Sequence, residues 1–284
     1  MMGSTSAPSE VDASTAEPMA SPMVEIRGLS KLFQGRRHEV LALDNVDLDI
    51  GRGEFVCVVG PSGCGKTTLL NILGGLETAT RGTLRIAPPT GGRPQVSIVF
   101  QEQGVFPWMS VLDNAAFGLA ARGVGRADRQ RVAHEMLAKM GLAHFERAYP
   151  RELSGGMRQR VNLARAFAND PEMLLMDEPF ASLDEQTKLL LQEELLHVWE
   201  GTRKTVLFIT HSLEEAVRLA DRVVVMTARP GRIKAVVPIS LERPRDVLEM
   251  PSNPEYLRLH AQVWEHLREE VLAARGEDMG GTPQ

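Results

Sequence analysis

The sequence predicts an α/β fold with a mostly parallel sheet, and three observations carry that expectation. Short, continuous apolar runs recur along the chain: "FVCVVG" from Phe55, then "VSIVF", "MLLMD", "TVLFIT" and "RVVVM". Runs of this kind suit strands buried on both faces. Helical segments separate the later runs, as crossovers between parallel strands require. A glycine-rich stretch ends the first run, and a helix-period pattern follows at once.

Taken in order, the segment from Val24 to Ile50 reads as strand, with apolar residues alternating in "LALDNVDLDI". Within it "KLFQGRRHEV" reads as a polar loop carrying one aromatic, Phe33. "TTLLNILGGL" is a helix by its periodicity. Gly74 and Gly75 are expected to loosen its end, since glycine costs up to about 1 kcal/mol in a helix. From Ser110 to Ala168 the chain reads as several helices with no strong strand, set between two core strands. Beyond Ser240 it turns Pro- and charge-rich ("LERPRDVLEMPSNPEY"), then helical around "YLRLHAQVWEHLREEVLAA". The expected organisation is a disordered tail over 1–22, a core domain over 23–240 with a helical subdomain at about 102–168, and a C-terminal extension over 241–284 with a short helix. No internal repeat is visible, so one core is expected.

The composition, 43% apolar and 24% charged, is that of an ordinary globular protein. A net charge of -5 argues against nonspecific nucleic-acid binding, which needs a basic face. Cys57 lies in an apolar run and Cys64 in a glycine-rich loop, so neither reads as half of a disulfide framework, and a reducing compartment fits. The tail is rich in Ser, Ala, Thr and Pro and lacks Lys and Arg, unlike a signal peptide. No apolar run reaches the roughly 18 residues of a membrane-spanning helix. Work at a membrane would proceed by docking on other chains.

The chemistry starts at "GPSGCGKTT": Gly60, Pro61, Ser62, Gly63, Cys64, Gly65, Lys66, Thr67 and Thr68. The stretch fits G-x-x-x-x-G-K-[ST] between a buried strand and a helix, which is the context that makes the motif specific. Glycines let successive N–H groups turn inward toward phosphate oxygens, and the helix N-terminus adds its dipole. Lys66 can reach the β- and γ-phosphates, and the Thr67 hydroxyl can ligate Mg²⁺. Asp177 ends the buried run "MLLMD", where a carboxylate is costly unless paired or near a metal. It is placed to hold the Mg²⁺ shell. Glu178, one residue on, is the candidate for polarising an attacking water.

"LSGGMRQR", Leu153 to Arg160, adds a resemblance. With the two motifs above, the chain resembles the ATP-binding subunit of ABC transporters over roughly Val24 to Ser240. The resemblance implies a P-loop NTPase core of the ABC ATPase type, with an N-terminal antiparallel β portion and a helical subdomain insert. It implies ATP and Mg²⁺ as ligands. It also implies a head-to-tail homodimer in which Ser154, Gly155 and Gly156 face the γ-phosphate held by the other subunit. Gln101 matches the Q-loop glutamine that senses the γ-phosphate and Mg²⁺, and "ASLD" matches the D-loop, with Ser182 and Asp184 reaching across the dimer. His211, in "FITHSLEEA", matches the switch histidine. Phe33 matches the aromatic that stacks on adenine, with a core role as its alternative. Ser212 departs from the acidic residue common after that histidine.

"VFQEQGVFPWMSVLDN" resembles the corresponding loop of nitrate/sulfonate/taurine-type importers, as do "ARPGRI" and "LERPRD". The implied partners are two separate transmembrane permease subunits and, indirectly, a periplasmic binding protein. The implied location is peripheral, on the cytoplasmic face of the inner membrane, and the implied cargo is a small anion or zwitterion. In this resemblance Phe106, Pro107 and Trp108 line the permease docking groove. Packing of Trp108 under the helical insert is the alternative. Against the importer stand a soluble ABC protein of translation or repair, a non-transport assembly scaffold and an exporter. The single cassette, acidic balance and Phe-Pro-Trp loop weigh against them.

Overall fold

In the computed structural model, residues 21–35, 39–101 and 104–280 are described. The expected tail (residues 1–20 of it), residues 36–38, residues 102–103 and the last four residues lie outside them. Of the expected "KLFQGRRHEV" loop, Lys31–Gln34 and Glu39–Val40 are strand, with Phe33 paired to Val40, because the two segments hydrogen-bond to each other. Two sheets carry the fold. The first is antiparallel, in the order β2-β1-β4, from β1 (Val24–Gln34), β2 (Glu39–Ile50) and β4 (Arg81–Ile86). The second runs β5-β6-β7-β3-β8-β9, from β3 (Phe55–Val59), β5 (Val96–Val99), β6 (Met173–Asp177), β7 (Thr205–Ile209), β8 (Arg222–Met226) and β9 (Ile233–Pro238). Its strands are parallel except β9, which returns antiparallel on β8.

The apolar runs are these strands. Every residue of β3, β6 and β7 is buried, as strands covered on both faces must be. β4 and β9 escape the periodicity argument. β4 is short and largely exposed, with Arg81 and Arg85 outward, and pairing to β1 is what makes it a strand. The helices are α1 (Lys66–Leu73), α2 (Val111–Ala121), α3 (Arg126–Lys139), α4 (Gly155–Ala168), α5 (Glu185–Thr202), α6 (Leu213–Leu219) and α7 (Pro254–Gly280). Ser110, Ser154, Asp184 and Ser212 cap α2, α4, α5 and α6 through side-chain oxygens. Each such cap is worth about 1 kcal/mol.

One core cluster joins the face of the large sheet bearing Phe55 and Phe208 to α2, α3, α4, α5, whose Trp199 packs on Phe55, and the C-terminal helix. The other lies between the two sheets, around Leu43, Val56, Leu69 and Leu207. Gly74 and Gly75 do not loosen α1; they end it. Gly74 N–H returns to Leu70 and Gly75 N–H to Ile72, and Gly75 takes the left-handed φ of 69° that suits a helix end. A Cβ at Gly74 would lie 2.6 Å from Ile98. The C-terminal helix is 27 residues long, not short. It buries Tyr256, Leu259, Val263 and Leu267 on the body of the molecule.

Candidate active site

Parallel strand order decides the site. β3 lies beside β7, and β7 beside β6, so the carboxyl ends of three strands meet. Asp177 is in register with Ile209, and Val58 with the same residue from the other side. Segments following these strands therefore converge at one edge, where open α/β sheets bind ligands. They are the phosphate loop, the Asp177–Glu178 pair and the turn carrying His211.

The phosphate loop is folded for its task. Gly63 and Gly65 have φ of 73° and 102°, and a Cβ at Gly65 would lie 2.7 Å from the Ala42 carbonyl. Only glycine serves there. Lys66 is buried, and its ammonium donates to the Gly60 and Pro61 carbonyls at 2.9 and 3.0 Å. Exchanging those carbonyls for phosphate oxygens keeps the charge paired. Beside the loop is a cavity of about 420 Å³, lined among others by Phe33, Ser62, Lys66, Thr68, Gln101 and Glu178. Phe33 is 38% exposed at this cavity, not in the core, and its ring lies 4.8 Å from the Lys31 ammonium.

Asp177 sits behind Thr67. Burial raises its carboxyl above the ordinary aspartate range, and a hydrogen bond from the Thr67 side chain works in the opposite direction. Its Oδ1 is buried and has no hydrogen-bond partner among the described residues. An unpartnered buried carboxylate oxygen beside a hydroxyl is a donor set that fits a hard cation. Glu178 has φ 43°, a left-handed conformation uncommon for a side-chain-bearing residue, and its N–H donates to the Ile209 carbonyl at 2.9 Å. Strain of this kind costs about 1–3 kcal/mol and concentrates at functional sites. It turns the Glu178 carboxylate to within 3.1 Å of His211 Nδ1.

The signature residues are placed apart from this cavity. Ser154, Gly155 and Gly156 open α4 and are not among the cavity's lining residues. Ser154 Oγ accepts from the Met157 N–H at 3.2 Å. A Cβ on Gly156 would lie 2.6 Å from the Thr187 side chain, so α4 and the start of α5 touch there. Asp184 accepts from the Thr187 N–H and hydroxyl at 3.0 and 2.7 Å, which holds its carboxyl below the usual range. Ser182 lies just before this cap.

Two contributors were not singled out from sequence. Arg229, in the β8–β9 connection, lines the cavity and donates to the Gly63 carbonyl from Nε and Nη2, both at 3.2 Å. "ARPGRI" marks that stretch, yet nothing in it shows that the chain folds back onto the phosphate loop. Asn114 is fully buried. It accepts from the Phe106 N–H and donates to the carbonyls of Phe106, Met109 and Ser110. It thereby fixes the aromatic loop. Phe106 packs on Phe117 at 4.5 Å and under the Arg165 guanidinium at 5.2 Å, whereas Trp108 is 70% exposed.

A family model described as "ABC transporter" matches residues 43–181. The nitrate import ATP-binding protein NrtD of Synechocystis sp. is 43% identical over 252 residues, covering 86% of this chain and 95% of that protein. The taurine import ATP-binding protein TauB of Burkholderia thailandensis is 43% identical over 249 residues, covering 86% and 96%. Among solved structures, a dimeric post-hydrolysis ATP-binding cassette bound to ADP and Pi is similar with a TM-score of 0.66 and 31% identity, over 78% of this chain and all of that one. At such identities across nearly the full length of its relatives, the chain belongs to the ABC transporter family, as one of its ATP-binding ATPase subunits.

Proposed function

We propose that this subunit hydrolyses ATP to energise an importer of a small anion or zwitterion, the class to which nitrate and taurine belong. The observation that carries the reading is the convergence of Lys66, Asp177, Glu178 and His211 at one sheet edge. The phosphate-loop amides and Lys66 bind the β- and γ-phosphates, and Phe33 offers its ring to the base. Thr67, Asp177 and Gln101 are the residues that would hold Mg²⁺, which when bound neutralises charge on the β- and γ-phosphate oxygens. Among the described residues no cluster of three or more His, Cys, Asp and Glu could hold an ion alone, and Thr67, Asp177 and Gln101 would hold Mg²⁺ together with the nucleotide. Glu178 accepts the proton of the attacking water, and His211 holds its carboxylate in place.

Two copies close head-to-tail, with Ser154, Gly155, Gly156 and Asp184 of each completing the other's site. Among the described residues no helix is long and apolar enough to cross a membrane. In this reading the subunit docks on permease subunits from the inner face of the membrane, and a periplasmic binding protein delivers the cargo to them. The exposed Trp108, on a loop braced by Asn114 and Arg165, is the docking contact. The test is Glu178→Gln, which keeps the shape and loses the base. Hydrolysis should fall about 10²- to 10⁴-fold, with nucleotide affinity retained. Wild-type turnover in that variant would sink the assignment.

A further inference from the structure

A buried hydroxyl–carboxylate pair lies directly behind His211 and takes no part in the chemistry above. Thr210 is 1% exposed and Glu215 is 5% exposed. Thr210 Oγ1 donates to Glu215 Oε2 at 2.5 Å and accepts from the Ser212 N–H at 3.0 Å. The side chain before His211 thus grips the amide after it. Thr210 N–H donates to the Val58 carbonyl at 3.2 Å, anchoring the turn to β3. Ser212 Oγ accepts from the Glu215 N–H at 3.3 Å, which closes a ring through residues 210–215.

A carboxylate is an expensive choice for such a place. Burial pushes the Glu215 carboxyl up, with the Thr210 hydroxyl as the largest opposing influence. Among the described residues no Lys or Arg forms an ion pair with it. What a carboxylate supplies is acceptor capacity and nothing else. It takes the single hydroxyl proton of Thr210, leaving the Thr210 lone pairs for the Ser212 N–H, so the ring has one polarity. The His211 side chain is 59% exposed and is met by Glu178. Besides that contact, its direction depends on its backbone.

We propose that Glu215 and Thr210 form a buried clamp that fixes the backbone of His211 and so aims its imidazole at Glu178, making both of them positioning residues for ATP hydrolysis. The inference rests on the reading of His211 as part of the hydrolytic site. Thr210→Val removes the hydroxyl at nearly constant volume, and Thr210→Ser keeps it. In the full chain, Thr210→Val should slow kcat at least tenfold while KM for ATP and the affinity for a fluorescent ATP analogue stay within about twofold, a split that marks loss at the transition state. Thr210→Ser should stay within about twofold of wild type by the same measure. Adding Glu215→Ala to Thr210→Val should change kcat by less than about twofold, because groups in one network do not act additively.

The ¹³C-labelled imidazole resonance of His211 should move in Thr210→Val and not in Thr210→Ser. Where Thr210→Val fails to fold, Glu215→Gln serves: it keeps an acceptor oxygen but adds a buried N–H₂, and should also shift that resonance. Wild-type kcat in folded Thr210→Val, slowing that Thr210→Ser shares, or an unmoved resonance in Glu215→Gln overturns the clamp. His211→Ala separates the two readings. Retained hydrolysis there removes the role of His211 itself, whereas lost hydrolysis beside a wild-type rate in Thr210→Val removes only the clamp.

Discussion

Arg229 and Asn114 show how single side chains tie distant segments together. Arg229 brings a second cation to the phosphate cavity, with the Gly63 carbonyl holding it there. Arg229→Ala should weaken ATP binding several-fold, read by titration of a fluorescent analogue, and should weaken adenosine binding far less. Equal loss for both ligands would mean that the arginine only braces the loop. For Asn114→Ala, the part-buried Phe106 N–H loses its acceptor, at a cost of about 1 kcal/mol. The expected result is a lower Tm together with faster proteolysis between residues 104 and 110. Glu255 supplies a pH signal. Its hydrogen bonds with Arg258 and Ser240 hold its carboxyl down at about 2. A depressed carboxyl stabilises the fold above its unfolded pKa and loses that contribution as pH falls toward the folded value. The Tm difference between wild type and Glu255→Gln should therefore be present at pH 6 and shrink steadily below pH about 4.

Among the elements, α7 is bound to the body more firmly than a loose appendage. Beyond its buried apolar face, Glu269 and Glu270 meet Lys234 at 2.7 and 2.8 Å. Glu270 also accepts from the Ala228 N–H at 2.8 Å, next to Arg229. The stretch before the helix is fixed as well. Arg243 pairs with Asp221 at 2.8 Å and lies over the Trp199 ring at 4.3 Å. Arg245 donates to the carbonyls of Arg218, Ala220 and Leu241, and burial brings its pKa down to about 10. Leu259→Ala should cost about 2–5 kcal/mol, measured by thermal or denaturant unfolding. A change within about 0.5 kcal/mol, typical of surface sites, would mean the helix docks only weakly.

At the scale of the whole molecule, the signature end of α4 and the phosphate cavity occupy separate places on one chain. In the proposed head-to-tail pair, a second copy completes each site. In Glu178→Gln, ATP should convert the sedimenting species from monomer to dimer, and Ser154→Ala in that background should prevent it. Ser154→Ala also removes a helix cap, worth about 1 kcal/mol, so its Tm is measured alongside. A dimer that forms without ATP, or one indifferent to Ser154, would contradict closure around nucleotide. Trp108→Ala should leave the ATPase of the isolated subunit unchanged and abolish stimulation by the permease.

The sequence by itself determined the buried strands, the phosphate loop, the carboxylate pair after "MLLMD" and the family signature. Each is a local pattern, in which a few adjacent residues carry both the backbone conformation and the chemistry. Strand order, and with it the meeting of Glu178 and His211, depended on pairing between segments far apart in the chain, which periodicity does not encode. β4 became a strand only through its partner, since it has no apolar run of its own, whereas β9 carries only the short run Ala235–Val237 and pairs antiparallel with β8. The length of α7 and the positions of Asn114, Arg229 and Glu215 were likewise decided by what they pack against. A polar side chain shows its purpose in sequence only when its partners are its neighbours; for these residues the partners come from elsewhere in the fold or from around a turn.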